Sequence, residues 1–161
     1  MSPELIDSSR NSRRGSFHVY ESWLRRLGRL PRLLIAEDHR DTRTSLTELF
    51  ERSGYDVRAV SDGSALLHRL GPMLLSEPGH WPPDVILTDV KMPGIDALSV
   101  LEELREVGWE TPAIVITGFG NDGIRDRVRA LQQVDLCEKP VDVDALERAV
   151  AEAVGDLDPE H

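Results

Sequence analysis

The chain has a single cysteine, Cys137, so no disulfide forms within it; its place in an apolar run marks it as a buried small hydrophobe. Aromatic residues are only 5% of the 161, which leaves an aliphatic core as the means of folding. No stretch approaches the roughly 20 apolar residues that cross a bilayer. Residues 1–32 lack the continuous apolar centre of a secretion signal, and the expectation is a cytoplasmic protein. The five histidines, at 18, 39, 68, 80 and 161, are scattered with no metal-ligand spacing between them, which places them on the surface or in loops.

Positive charge is concentrated at one end. Residues 1–32 hold seven arginines against Glu4, Asp7 and Glu21, a net of +4, which leaves −14 for residues 33–161 out of a total of −10. An acidic domain of this kind does not attract nucleic acid by bulk electrostatics, and the basic arm does so only weakly. The length suits one domain with an arm. The expected division is a basic, partly disordered arm with a short amphipathic helix over 1–31, a domain over 32–155, and an acidic tail over 156–161. In the arm, Phe17, Tyr20, Leu24 and Leu27 recur at helical intervals with Trp23 beside them, and Gly28 and Pro31 stop the helix.

Beyond the arm the pattern alternates. Aliphatic runs near 33–36, 56–60, 84–88, 112–117 and 134–138 read as strands, and three of them lack polar alternation, as parallel strands covered on both faces do. Helical periodicity fills the gaps: Leu46, Leu49 and Phe50 up to Gly54; Ala65, Leu66, Leu67 and Leu70; Leu98, Leu101, Leu104 and Val107 up to Gly108; Ile124, Val128 and Leu131; and Val143, Leu146, Val150 and Val154. Five strands alternating with five helices predict an α/β fold with a doubly wound, five-stranded parallel sheet. Ligands of such sheets sit beyond the carboxyl ends of the strands.

Chemistry-bearing residues fall at those ends. Glu37-Asp38 follows the first strand, Asp89 the third, Thr117 the fourth and Lys139 the fifth. A carboxylate can attack phosphorus, and two neighbouring acids can hold the cation that screens the approaching phosphoryl group. A hydroxyl and an ammonium can then take its remaining oxygens. The motifs, an acidic pair, D-x-K-M-P-G over Asp89–Gly94, T-G at Thr117 and K-P at Lys139, resemble the receiver domain of two-component response regulators, from residue 33 to about 154. The resemblance implies a flavodoxin-like strand order of 2-1-3-4-5, a phosphoacceptor at Asp89, and Mg²⁺ held by Glu37, Asp38, Asp89 and the backbone carbonyl of Lys91. It also implies Thr117 and Lys139 on the phosphoryl group and a cis peptide at Lys139-Pro140. A bacterial sensor histidine kinase or histidine phosphotransfer protein would be the donor, and a downstream protein the target.

Three departures from the common pattern stand out. Glu37 replaces the usual first Asp, a change that preserves metal binding. Leu136 stands where receivers carry Tyr or Phe, which puts the usual coupling between hydroxyl and aromatic in question. Gln132-Gln133 replaces a small-residue turn, and Asn121-Asp122-Gly123 lengthens the loop before the fourth helix, so that helix is expected to be short, displaced or mobile and the output face non-standard. Phe119, two residues past Thr117, offers no group to orient water and is expected to slow self-dephosphorylation.

Only a last helix and the tail follow Pro140, so the expectation is a stand-alone receiver, with no DNA-binding domain and no enzymatic activity beyond its own phosphoryl transfer and dephosphorylation. Its output would be protein contact or a phosphorelay, and the helix in the arm could support a homodimer. Two other classes compete. One is a receiver-like interaction module that works without phosphorylation. The other is a metal-dependent aspartyl phosphohydrolase, which the Glu37-Asp38-His39 sequence after the first strand disfavours, because such enzymes place D-x-D there.

Overall fold

A computed structural model describes residues 21, 23–74, 81–118 and 122–155. Ten elements follow one another: β1 (Arg32–Ala36), α1 (Arg40–Arg52), β2 (Asp56–Val60), α2 (Gly63–Leu74), β3 (Val85–Asp89), α3 (Ala97–Glu106), β4 (Ala113–Thr117), α4 (Asp122–Arg129), β5 (Val134–Glu138) and α5 (Val143–Gly155). The strands form one parallel sheet in the order β2-β1-β3-β4-β5. The doubly wound, flavodoxin-like expectation is met, and the three strands without polar alternation are the central ones, β1, β3 and β4.

Side chains alternate across a strand, so each central strand feeds two cores. Leu34, Ala36, Ile86 and Val115 join Leu66 and Leu70 of α2, Leu98, Leu101 and Leu104 of α3 and Val128 of α4 on one face. Leu33, Ile35, Val85, Leu87, Ile114 and Ile116 join Phe50 of α1 and Leu146, Val150 and Val154 of α5 on the other. Two of the apolar positions expected on helical faces are not there. Val107 is the C-cap of α3 and is 66% exposed, and Val143 opens α5 and is 49% exposed. Both sit where the helix ends and its apolar stripe no longer faces the sheet. Cys137 is half-buried rather than buried, because β5 is an edge strand.

The fourth helix is short, as expected, at eight residues. The turn that follows it carries Gln133 at φ 57°, a left-handed conformation that glycine adopts at less cost. Asn121 and Phe119 lie outside the described residues, as do residues 1–20, most of the turn-rich Ser76–Pro83 stretch and the tail from 156. From that stretch Trp81 is buried against the edge strand β2; its Nε1 donates to Asp56 at 2.7 Å and the Arg58 guanidinium lies 4.6 Å from its ring centre.

The end of the arm is docked at the amino ends of the strands. Residues 23–27 are helical and Gly28 ends the turn at φ 66°. The buried member is Trp23, 5% exposed, while Leu24 is 38% exposed, so the face expected from Leu24 turns to solvent. Trp23 lies 4.9 Å from the Tyr55 ring, which makes an edge contact with Phe50. Arg26 donates to the Gly155 carbonyl at 3.3 Å. Arg29 grips both oxygens of Asp84, at 2.7 and 3.0 Å, and Asp84 also accepts the Arg32 N–H. Truncating Trp23 to alanine is expected to cost about 3 kcal/mol, the lower end for a buried tryptophan because the segment can detach. Denaturant unfolding of the two proteins measures it, and an unchanged midpoint would mean that Trp23 is not part of this core.

Candidate functional site

The sheet brings the carboxyl ends of β1, β3, β4 and β5 together, and the expected residues converge there. Asp89 ends β3 and is 5% exposed. Lys139, just past β5, donates its Nζ to Asp89 Oδ2 at 2.9 Å, and the Lys91 N–H donates to Oδ1 at 3.0 Å. These are the only two lysines in the sequence. The bond to Asp89 raises the Lys139 pKa above its ordinary value, so the ammonium stays charged throughout the physiological range. Thr117 ends β4, is 1% exposed, and its carbonyl accepts the Lys139 N–H at 2.8 Å, which fixes β5's end against β4. The peptide Lys139-Pro140 is cis, as the resemblance implies.

Glu37 and Asp38 form the turn between β1 and α1. Glu37 is 3% exposed, and its N–H bonds back to the Val60 carbonyl of β2. Its carboxyl pKa is raised above the usual range, chiefly by burial and further by the charge of Asp89, against the lowering effect of the His39 N–H. Asp38 Oδ1 is buried with no hydrogen-bond partner; His39 Nδ1 is 3.2 Å away but not in hydrogen-bond geometry. A buried, unpartnered carboxylate oxygen beside a second buried carboxylate is costly unless a cation takes it. The donor set of carboxylate oxygens on Glu37 and Asp38 fits Mg²⁺.

Three contributors escaped the sequence reading. Arg43 of α1 reaches back to the acidic turn, its Nη1 donating to the Glu37 carbonyl at 2.9 Å. His39 is exposed, as expected, but its Nδ1 turns to Glu37 Oε1 at 3.3 Å and to Asp38. Gly63, at the start of α2, lies against the Ile95 carbonyl in the loop that follows Asp89. The first and last act through main-chain atoms, which leave no residue-type signal. His39 had one, its place directly after the acidic pair.

The fold, the convergence of acids, hydroxyl and lysine, and the family comparison agree. The model of the response regulator receiver domain matches residues 33–151. The chain belongs to the response regulator receiver domain family. It is thus a receiver domain of two-component signalling. Among relatives, the regulatory protein AtoC of Escherichia coli is 30% identical over 125 residues, covering 76% of this chain and 25% of AtoC. The transcriptional regulatory protein FixJ of Azorhizobium caulinodans is 34% identical over 121 residues, 75% of this chain and 54% of FixJ. This receiver therefore spans between a quarter and just over half the length of these two relatives. Among solved structures, the receiver domain of the Francisella response regulator 1452 superposes with a TM-score of 0.67 at 25% identity, over 80% of this chain and 99% of that one. Among the described residues no helix is long and apolar enough to cross a membrane.

The raised Glu37 pKa has a sign that can be tested. The protonated form is favoured by the metal-free fold, so its stabilising contribution is present at low pH and is lost as pH rises through the raised value. A cation competes with a proton for that carboxylate. Mg²⁺ affinity is therefore expected to start falling on acidification at a higher pH than an exposed glutamate would give, and Glu37→Gln to flatten that dependence. Calorimetric titration with Mg²⁺ across a pH series decides; identical profiles for the two proteins would remove Glu37 from the site.

Proposed function

We propose that this receiver accepts a phosphoryl group on Asp89 from the phosphohistidine of a sensor histidine kinase or a histidine phosphotransfer protein. The observation that carries the reading is the Asp89 carboxylate itself: buried, fixed at both oxygens by Lys139 and the Lys91 N–H, and near enough to Glu37 for its charge to help raise that carboxyl's pKa. A carboxylate oxygen of Asp89 attacks phosphorus, the phosphorus–oxygen bond forms, and the phosphorus–nitrogen bond breaks with its electron pair going to the donor imidazole. Glu37, Asp38, Asp89 and the Lys91 carbonyl would hold Mg²⁺, whose charge, when bound, offsets that of the carboxylates and the phosphoryl oxygens. Lys139 moves from the carboxylate to a phosphoryl oxygen, and the Thr117 hydroxyl takes another. No substrate other than the chain's own phosphoryl group is proposed.

Output would pass through protein contact or onward relay. Leu136 is half-buried against the core and supplies no aromatic ring, so the proposed route to α4 is polar: Arg125 donates to Glu138, the residue before Lys139, at 2.7 and 3.1 Å. The leucine is also the observation that favours the second reading, a module that works unphosphorylated. Incubation of wild type and Asp89→Asn with acetyl phosphate and Mg²⁺ separates them by intact mass. One added phosphoryl group on the wild type alone, lost with chelator, is expected; no addition to folded wild type, by acetyl phosphate or by kinases, would favour the second reading.

A further inference from the structure

His39 is the first residue after the acidic pair and the N-cap of α1, yet its side chain makes no capping bond to the helix. Serine, aspartate or asparagine at that position would normally spend the side chain on the free N–H groups of the first turn. Here the imidazole turns the other way. Nδ1 lies 3.3 Å from Glu37 Oε1 and 3.2 Å from Asp38 Oδ1, and one ligand atom from each of the three residues falls within 4.8 Å of the other two. One of those atoms, Asp38 Oδ1, is buried and has no hydrogen-bond partner. The imidazole is 75% exposed, so a hydrated ion can approach it from solvent.

We propose that Glu37, Asp38 and His39 form a mixed carboxylate–imidazole site in which His39 Nδ1 is a direct ligand to a divalent transition metal, with Zn²⁺ as the representative ion. The proposal rests on the reading of Glu37 and Asp38 as cation ligands. It adds a nitrogen donor that Mg²⁺ does not use. Mg²⁺ is held by oxygen and keeps much of its water, whereas imidazole suits zinc, nickel and copper. The same turn therefore offers an oxygen-only set to a hard ion and an oxygen–nitrogen set to a borderline one. On binding the softer ion, Nδ1 presents its lone pair and any proton it carries is released to solvent. Arg43, bonded to the Glu37 carbonyl at 2.9 Å, holds the turn in either case.

The test is calorimetric titration of the full chain with Zn²⁺ and, separately, with Mg²⁺, for the wild type, His39→Phe and Asp38→Asn. Loss of an outer-shell partner of a metal ligand already costs about 10–100-fold in affinity, so loss of a ligand should cost at least about tenfold. The expected result is a Zn²⁺ affinity at least about tenfold weaker in His39→Phe, with Mg²⁺ affinity unchanged. Zn²⁺ bound to this site should also weaken in Asp38→Asn, which separates it from zinc held by the other histidines. Equal Zn²⁺ affinity in wild type and His39→Phe would overturn the proposal and leave His39 as a hydrogen-bond partner of Glu37. That outcome with Mg²⁺ binding intact spares the Mg²⁺ reading. Zn²⁺ binding that depends on His39 without any Mg²⁺ binding would support the proposal and remove the Mg²⁺ reading instead.

Discussion

Gly63→Ala is expected to destabilise the fold by about 3 kcal/mol, the upper end for overpacking in a well-packed interior. A Cβ at Gly63 would overlap the Ile95 carbonyl oxygen and lie 2.8 Å from its carbon. No side-chain rotation relieves that contact, since both atoms are backbone. Either α2 must back away from its buried Leu66 and Leu70, or the loop between β3 and α3 must move. That loop carries Lys91, whose N–H holds Asp89 Oδ1, so a displaced loop should also weaken Mg²⁺ binding. Gly71→Ala is the control: it lies in the same helix with nothing within 4 Å of a Cβ, and should stabilise by about 0.5–1 kcal/mol through helix propensity. Denaturant unfolding of the pair gives the contrast. Similar midpoints for the two variants would mean that α2 does not press on the loop.

The second large effect concerns chemistry rather than stability. Lys139→Ala should slow phosphoryl incorporation from acetyl phosphate by about 10²–10³-fold, the usual loss for one preorganised donor to a developing charge. The ammonium is 2.9 Å from Asp89 Oδ2 and, among the described residues, is the only cationic side chain bonded to that carboxylate. Arginine should not restore the rate, because its planar fork occupies more space than a point charge at the end of a flexible stem. Incorporation rates measured by intact mass at fixed Mg²⁺ test this. A rate within about threefold of wild type would assign Lys139 a structural role only.

What could be read without coordinates, and what could not, follows from where the information lies. The central strands announced themselves because Leu33–Ala36, Val85–Leu87 and Ala113–Ile116 are buried on both faces and so lack polar residues. The site was legible because parallel topology places every strand's carboxyl end on one side, so Glu37, Asp38, Asp89, Thr117 and Lys139 could be grouped before any distance was known. Helix ends were not: Val107 and Val143 continue the apolar spacing one step past the point where the helix still faces the sheet. Arg43 and Gly63 were invisible because their partners are carbonyl oxygens, which every residue carries. Trp23 is buried where Leu24 beside it is exposed, because Trp23 packs on Tyr55, a residue from another element that helical spacing within the arm does not reveal.

The scarcity of lysine has a practical consequence. Reagents that acylate primary amines have only two side-chain targets in this sequence, and one of them, Lys139, has its nitrogen on the Asp89 carboxylate. Lys91, the other, stands two positions along the chain from the same aspartate. Competitive amine footprinting, read by peptide mass, thus becomes a site-directed probe without any engineered label. The reactivity of Lys139 relative to Lys91 reports in a single spectrum whether the carboxylate, a cation or a transferred group is what the ammonium faces.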